Sequence, residues 1–141
     1  MTIQINDLSP PEIDITIPQG SDVDEFFIIY TDEAQTSPLD LTGFTAQSMV
    51  RTSYDANSPI LTLSTTDGTI MLGAKIQNNT VVSDSPINGG IALKYQSGTT
   101  TAVRFKGDSL DCVRDLELTD SSGIVRRVLQ GNFTLSREST R

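Results

Sequence analysis

Leu110-Asp111-Cys112-Val113-Arg114-Asp115-Leu116-Glu117-Leu118-Thr119, followed by Asp120-Ser121-Ser122-Gly123 and then Ile124-Val125-Arg126-Arg127-Val128-Leu129, decides the fold. Leu110, Cys112, Leu116 and Leu118 share one parity, while Asp111, Asp115, Glu117 and Thr119 share the other. That period of two makes a strand with one face in a core and one in water. Arg114 is the one intruder on the apolar face. Ser121-Ser122-Gly123 supplies a turn, and Ile124 to Leu129 with Phe133 and Leu135 supplies partner strands.

The same alternation recurs toward the N-terminus. Ile13, Ile15 and Ile17 predict a strand over Glu12 to Ile17, ended by Pro18-Gln19-Gly20. Asp24 to Thr31 (DEFFIIYT) is β-branched and aromatic between acidic residues, which predicts a more deeply buried strand. Thr45 to Thr52 predicts a third, with Ala46, Ser48 and Val50 on one side. Ile60 to Leu63 and Thr69 to Leu72 flank Asp67-Gly68 and are expected to pair as a hairpin. Ile76 and Val81-Val82 suggest strands around Asn78-Asn79, and Ile91 to Leu93 with Tyr95 suggest another after Pro86 to Gly90. Gly89-Gly90 reads as a further hairpin turn. Many short strands, frequent turns and no convincing amphipathic helix indicate an all-β fold: an antiparallel, immunoglobulin-like β-sandwich. Its core is expected to hold Ile15, Phe27, Ile29, Leu41, Phe44, Val50, Leu63, Leu116, Leu118 and Phe133.

The chain has 141 residues, enough for one domain that needs neither disulfides nor a metal. The formal net charge is -8, so nucleic acid is a poor partner. The first residues lack the basic start and long apolar stretch of a secretory signal, and the longest aliphatic-aromatic run is Phe26 to Tyr30. The expectation is a soluble protein made in the cytoplasm, with no membrane partner.

Little in the sequence carries chemistry. There is no histidine, which removes Ser-His-Asp and Cys-His arrangements and the usual zinc sites. Cys112 has no partner cysteine, sits in an alternating segment and reads as a buried, inert thiol. Asp22, Asp24 and Glu25, or Asp108 and Asp111, are close enough in sequence to consider as acid-base pairs. All are expected at loops or strand ends, facing water. No EF-hand spacing or phosphate-cradling glycine loop is present. The expectation is no enzyme, no cofactor and no metal.

Three stretches carry a resemblance. They are Ile15-Thr16-Ile17-Pro18-Gln19-Gly20; Pro38-Leu39-Asp40-Leu41-Thr42-Gly43-Phe44-Thr45-Ala46 leading to Val50-Arg51; and Asp115-Leu116-Glu117-Leu118 with Gly123, Arg127, Gly131 and the Ser136 to Arg141 end. Together they resemble the small phage and prophage proteins related to the N-terminal domain of the siphophage baseplate upper protein. The likeness spans nearly the whole chain, fits poorly over Lys75 to Asp108, and departs at Arg114, where the family usually carries tyrosine. It implies a structural component of a tailed bacteriophage virion, docking in the tail, baseplate or fibre attachment region. Its partners would be other virion proteins and copies of itself. A capsid decoration protein (cement or head fibre) suits the same composition. A carbohydrate-binding module at the host surface is the alternative from another class, with Tyr54 and Tyr95 as its only candidate platforms in a chain without tryptophan.

Residues 1–11 are expected to form an extended arm outside the folded domain of residues 12–141, because Pro10-Pro11 uncouples them from the first strand. Ile3, Ile5 and Leu8 would then add an apolar strand to a neighbouring sheet. The competing expectation is that Met1 to Ile5 pairs within its own domain as an edge strand.

Overall fold

The computed structural model of the chain describes residues 2–4 in their backbone and residues 10–32 and 34–137 in full. Its strands are β1 (Thr2–Gln4), β2 (Ile15–Pro18), β3 (Val23–Tyr30), β4 (Thr45–Arg51), β5 (Leu61–Ser64), β6 (Ile70–Leu72), β7 (Ala74–Gln77), β8 (Thr80–Ser83), β9 (Gly90–Tyr95), β10 (Ser109–Thr119) and β11 (Val125–Ser136). One sheet runs β1-β3-β9-β6, a second runs β2-β11-β10-β4-β5, and β7-β8 is a separate hairpin. A 3₁₀ turn, Pro86–Asn88, leads into β9, and a short helix α1, Ser97–Thr101, follows it.

The alternation in β10 builds the centre of the second sheet. Cys112, Arg114, Leu116 and Leu118 are buried, and Val113, Asp115 and Glu117 between them are half-buried on the other face. β11 pairs antiparallel along the whole strand, from Ser109 opposite Ser136 to Thr119 opposite Val125, with a register shift between Leu116 and Glu117. The inner faces of both sheets share one core, where Ile17, Phe27, Ile29, Leu93, Leu116, Leu129, Phe133 and Leu135 are essentially inaccessible. Burying each such side chain contributes about 1.5 to 3 kcal/mol. Of the residues expected in the core, Ile15 and Phe44 are only half-buried and pack against it, and the others are buried. Ala46, Ser48 and Val50 share the inward face of β4 as their parity predicts.

Several expectations need correction. Asp67-Gly68 does turn the chain, with Gly68 at φ 82°, but β5 and β6 do not pair. β5 pairs with β4 and β6 with β9, so the turn carries the chain from one sheet to the other. A turn signal specifies reversal, not the partner; here Leu61 and Leu63 fill the core from one sheet and Ile70 from the other. Gly89-Gly90 is likewise no hairpin: Gly89 ends the 3₁₀ turn and Gly90 starts β9, where a Cβ would strike the Ala74 carbonyl. Asn78 and Asn79, at φ 53° and 61°, do close the β7-β8 hairpin, the backbone that a two-residue loop between twisted strands favours.

The sheets are also not wholly antiparallel. β2 pairs parallel with β11, and β1 pairs parallel with β3, Thr2 opposite Ile28 and Gln4 opposite Tyr30. The N-terminal segment thus contributes an edge to each sheet. Pairing already begins before Glu12, since the Pro11 carbonyl accepts from the Gln130 amide and Glu12 bridges to Gln130.

Candidate functional site

The most unusual chemistry lies inside. Arg114, 1% exposed, projects from β10 into the core between the two sheets. Its Nη1 and Nη2 donate to the two Glu25 carboxylate oxygens at 2.5 and 2.9 Å. Its Nε and Nη2 donate to the Ile13 carbonyl at 3.2 and 2.8 Å, and Nη1 also reaches the Tyr95 hydroxyl at 3.2 Å. Tyr95 Oη donates in turn to Glu25 Oε1 at 3.0 Å. Glu25 and Tyr95 belong to β3 and β9 of the first sheet, Arg114 to β10 of the second, and Ile13 to the segment before β2, whose amide donates to the Gln130 carbonyl of β11. The cluster therefore ties the sheets across the core.

Backbone geometry makes room for it. Arg114 lies opposite Gly131 in the β10-β11 ladder, and a Cβ on Gly131 would sit 2.4 Å from the Ile13 oxygen. Only glycine lets the segment before β2 approach closely enough to present that carbonyl to the guanidinium. Asp14 reinforces the approach, its Oδ1 accepting from the Asn132 amide at 2.8 Å.

This arrangement is closed to chemistry. Each guanidinium nitrogen already donates, and burial followed by the Glu25 charge pushes the Tyr95 phenol far above its ordinary range, holding its proton. Such a buried ion pair specifies geometry, and leaving either partner unpaired costs more than the pair contributes.

The carboxylates considered as acid-base pairs separate. Glu25 was expected to face water and instead faces the core, because it shares parity with Phe27 and Ile29 on β3. Asp22 Oδ1 accepts from the Ser97 amide at 2.7 Å, Asp24 pairs with Lys94 at 3.9 Å, and Asp111 Oδ1 accepts from the Thr134 hydroxyl at 3.3 Å. Among the described residues, no group of three or more His, Cys, Asp or Glu is placed to hold a metal ion. Cys112 is buried, and burial pushes its thiol pKa up.

Tyr95 is not an exposed platform; its ring packs 5.5 Å from that of Phe133. Tyr54 is exposed. Of the expected partner-binding residues, Ile3 lies in β1, where only the backbone is described, and Ile5 and Leu8 lie outside the described residues. Exposed apolar side chains appear elsewhere: Ile76 on β7, Ile87 in the 3₁₀ turn, and Ile124 and Val125 at the start of β11. A groove of about 400 Å³ is lined by Phe26, Ile28, Ala74 and Ile76 together with the ion pair Lys75–Asp84.

A second buried polar group, Gln19, escaped the sequence reading. Its amide donates to the Thr100 and Val103 carbonyls at 3.0 and 2.9 Å, and the Gly20 amide donates to Thr100 Oγ1 at 3.0 Å. The β2-β3 turn is thereby clamped to α1. Its only sequence signal is its place between Pro18 and Gly20 in the first motif. No family model matches the chain, and no curated protein matches it. No described helix is long and apolar enough to cross a membrane.

Proposed function

We propose that this chain is a structural docking module of a tailed bacteriophage virion, seated in the tail, baseplate or fibre attachment region, with other virion proteins and copies of itself as partners. The observation that carries this reading is the use the fold makes of the motif residues. Gly20 and Gly43 adopt φ of 88° and 80° at the bends after β2 and before β4, Leu41 enters the core, and Gly131 admits the Ile13 carbonyl. The resemblance thus rests on residues that set the architecture.

We infer further that the architecture is immunoglobulin-like. The orders β3-β9-β6 and β11-β10-β4-β5 correspond, in chain order, to B-E-D and G-F-C-C′ of that sandwich, with β7-β8 inserted between D and E. The parallel pairing of β2 with the last strand, β11, supports the assignment. Exposed Ile76 and Ile87 and the apolar groove beside Phe26 and Ile28 support a docking role, since apolar patches mark surfaces that partners cover.

Labelled antibody against the chain, imaged on purified particles of the phage that encodes it, tests the reading. Label at the tail, baseplate or fibre base is expected. Label on the head would favour capsid decoration, and unlabelled particles would overturn the virion assignment.

A further inference from the structure

We propose that the end of the domain formed by the β2-β3 turn, the segment after α1 and Arg137 is a binding pocket for a single oxyanion group, a phosphate or a carboxylate. The inference does not rest on the virion reading. A pocket of about 110 Å³ lies there, lined by Gln19, Thr101, Val103, Arg104, Phe105 and Arg137.

Charge is the first argument. The chain carries a net charge of -8, yet Arg104 and Arg137 both line this pocket, and Lys106 follows its Phe105 in the sequence. Ion pairs neutralise Lys75, Lys94, Arg114 and Arg127; Arg104, Lys106 and Arg137, like Arg51 and Arg126, have no carboxylate within ion-pair distance among the described residues, and Arg104 and Arg137 share one pocket. Unneutralised positive charge in an otherwise acidic molecule concentrates anions locally.

Orientation is the second. Arg137 Nε donates to the Gly107 carbonyl at 2.7 Å, its Nη2 donates to the Phe105 carbonyl, and its guanidinium stacks 4.9 Å above the Phe105 ring. The planar fork is therefore held in place, and its Nη1 edge has no hydrogen-bond partner among the described residues. A fixed guanidinium loses little entropy on meeting an oxyanion and matches its geometry. The walls are equally fixed, because buried Gln19 binds the Thr100 and Val103 carbonyls on either side of Thr101. Size is the third argument: drug-sized sites occupy about 300 to 1,000 Å³, so this one admits one small group and not a sugar or nucleotide.

Nuclear magnetic resonance of the full chain, titrated at constant ionic strength, tests the proposal with inorganic phosphate in one arm and acetate in the other. Saturable shifts confined to the Gln19 side-chain amide, Thr101 to Gly107 and Arg137 Nε are expected, with dissociation constants in the millimolar range. The tighter arm identifies the group. Arg104 is exposed and its side chain bonds to no described residue, so Arg104→Glu should leave the other resonances in place and weaken binding at least tenfold. Equal shifts with sodium chloride alone, shifts scattered over Arg51 and Arg126, or unchanged binding by Arg104→Glu would overturn it.

Discussion

Arg114 and Gly131 face each other across the β10-β11 ladder, and the missing side chain of one lets the other reach the Ile13 carbonyl. An arginine on an apolar strand face and a glycine in the middle of its partner strand would each weaken a sheet alone. Together they seat the segment before β2 on the second sheet and bind both to Glu25 of the first.

Gly131→Ala should therefore destabilise the domain by about 1 to 3 kcal/mol, the usual cost of overpacking a fixed site. Urea unfolding measures it. A change below about 0.5 kcal/mol would mean that the Ile13 strand shifts freely and the close approach is incidental.

Breaking the ion pair from one side should cost more than removing it whole. Glu25→Gln or Arg114→Met alone is expected to lose about 3 to 5 kcal/mol, because an uncompensated buried group remains, and the double variant should recover part of that loss. Additive losses in the double-mutant cycle would show that Arg114 and Glu25 do not act as a pair.

High pH should weaken the fold through Tyr95. Burial and then the Glu25 charge raise the folded pKa, so the stability gained is fully present below the unfolded value of about 10 and declines as pH rises beyond it. Cys112 acts with the same sign from about pH 8.5 and is common to both proteins compared. Urea midpoints between pH 8 and 11 should fall less steeply in Tyr95→Phe than in the parent. Identical slopes would remove Tyr95 from the alkaline transition.

Much of this architecture is legible in local pattern. Parity places Leu116, Leu118 and Ala46 correctly, and Asn78-Asn79 announces its hairpin, because both signals act between near neighbours in sequence. What escapes is pairing at a distance. Arg114 is visible as an intruder, but its partner Glu25 is 89 residues away and sits where an acidic strand boundary is expected. The Asp67-Gly68 turn is legible while the change of sheet across it is not. The parallel seating of β1 and β2 depends on which edges the rest of the fold leaves open.

The N-terminal strand supplies a direct comparison with the arm expected from Pro10-Pro11. Because Thr2–Gln4 pairs with Ile28 to Tyr30, deleting residues 1–9 should cost on the order of 1 kcal/mol, lowering Tm by about 2 to 8 °C. An unchanged Tm with lost assembly would instead describe an arm that serves a neighbour.

Ile76→Thr with Ile87→Thr should leave stability within about 0.5 kcal/mol, since both side chains are exposed, while lowering incorporation into particles. Full incorporation would remove this surface from the docking account.

Quantitative mass spectrometry of gradient-purified particles tests the virion assignment most directly. The account predicts this chain in a fixed, reproducible ratio to the tail proteins, retained when tails are separated from heads. Its absence from purified particles, or a trace amount that varies between preparations, would contradict it.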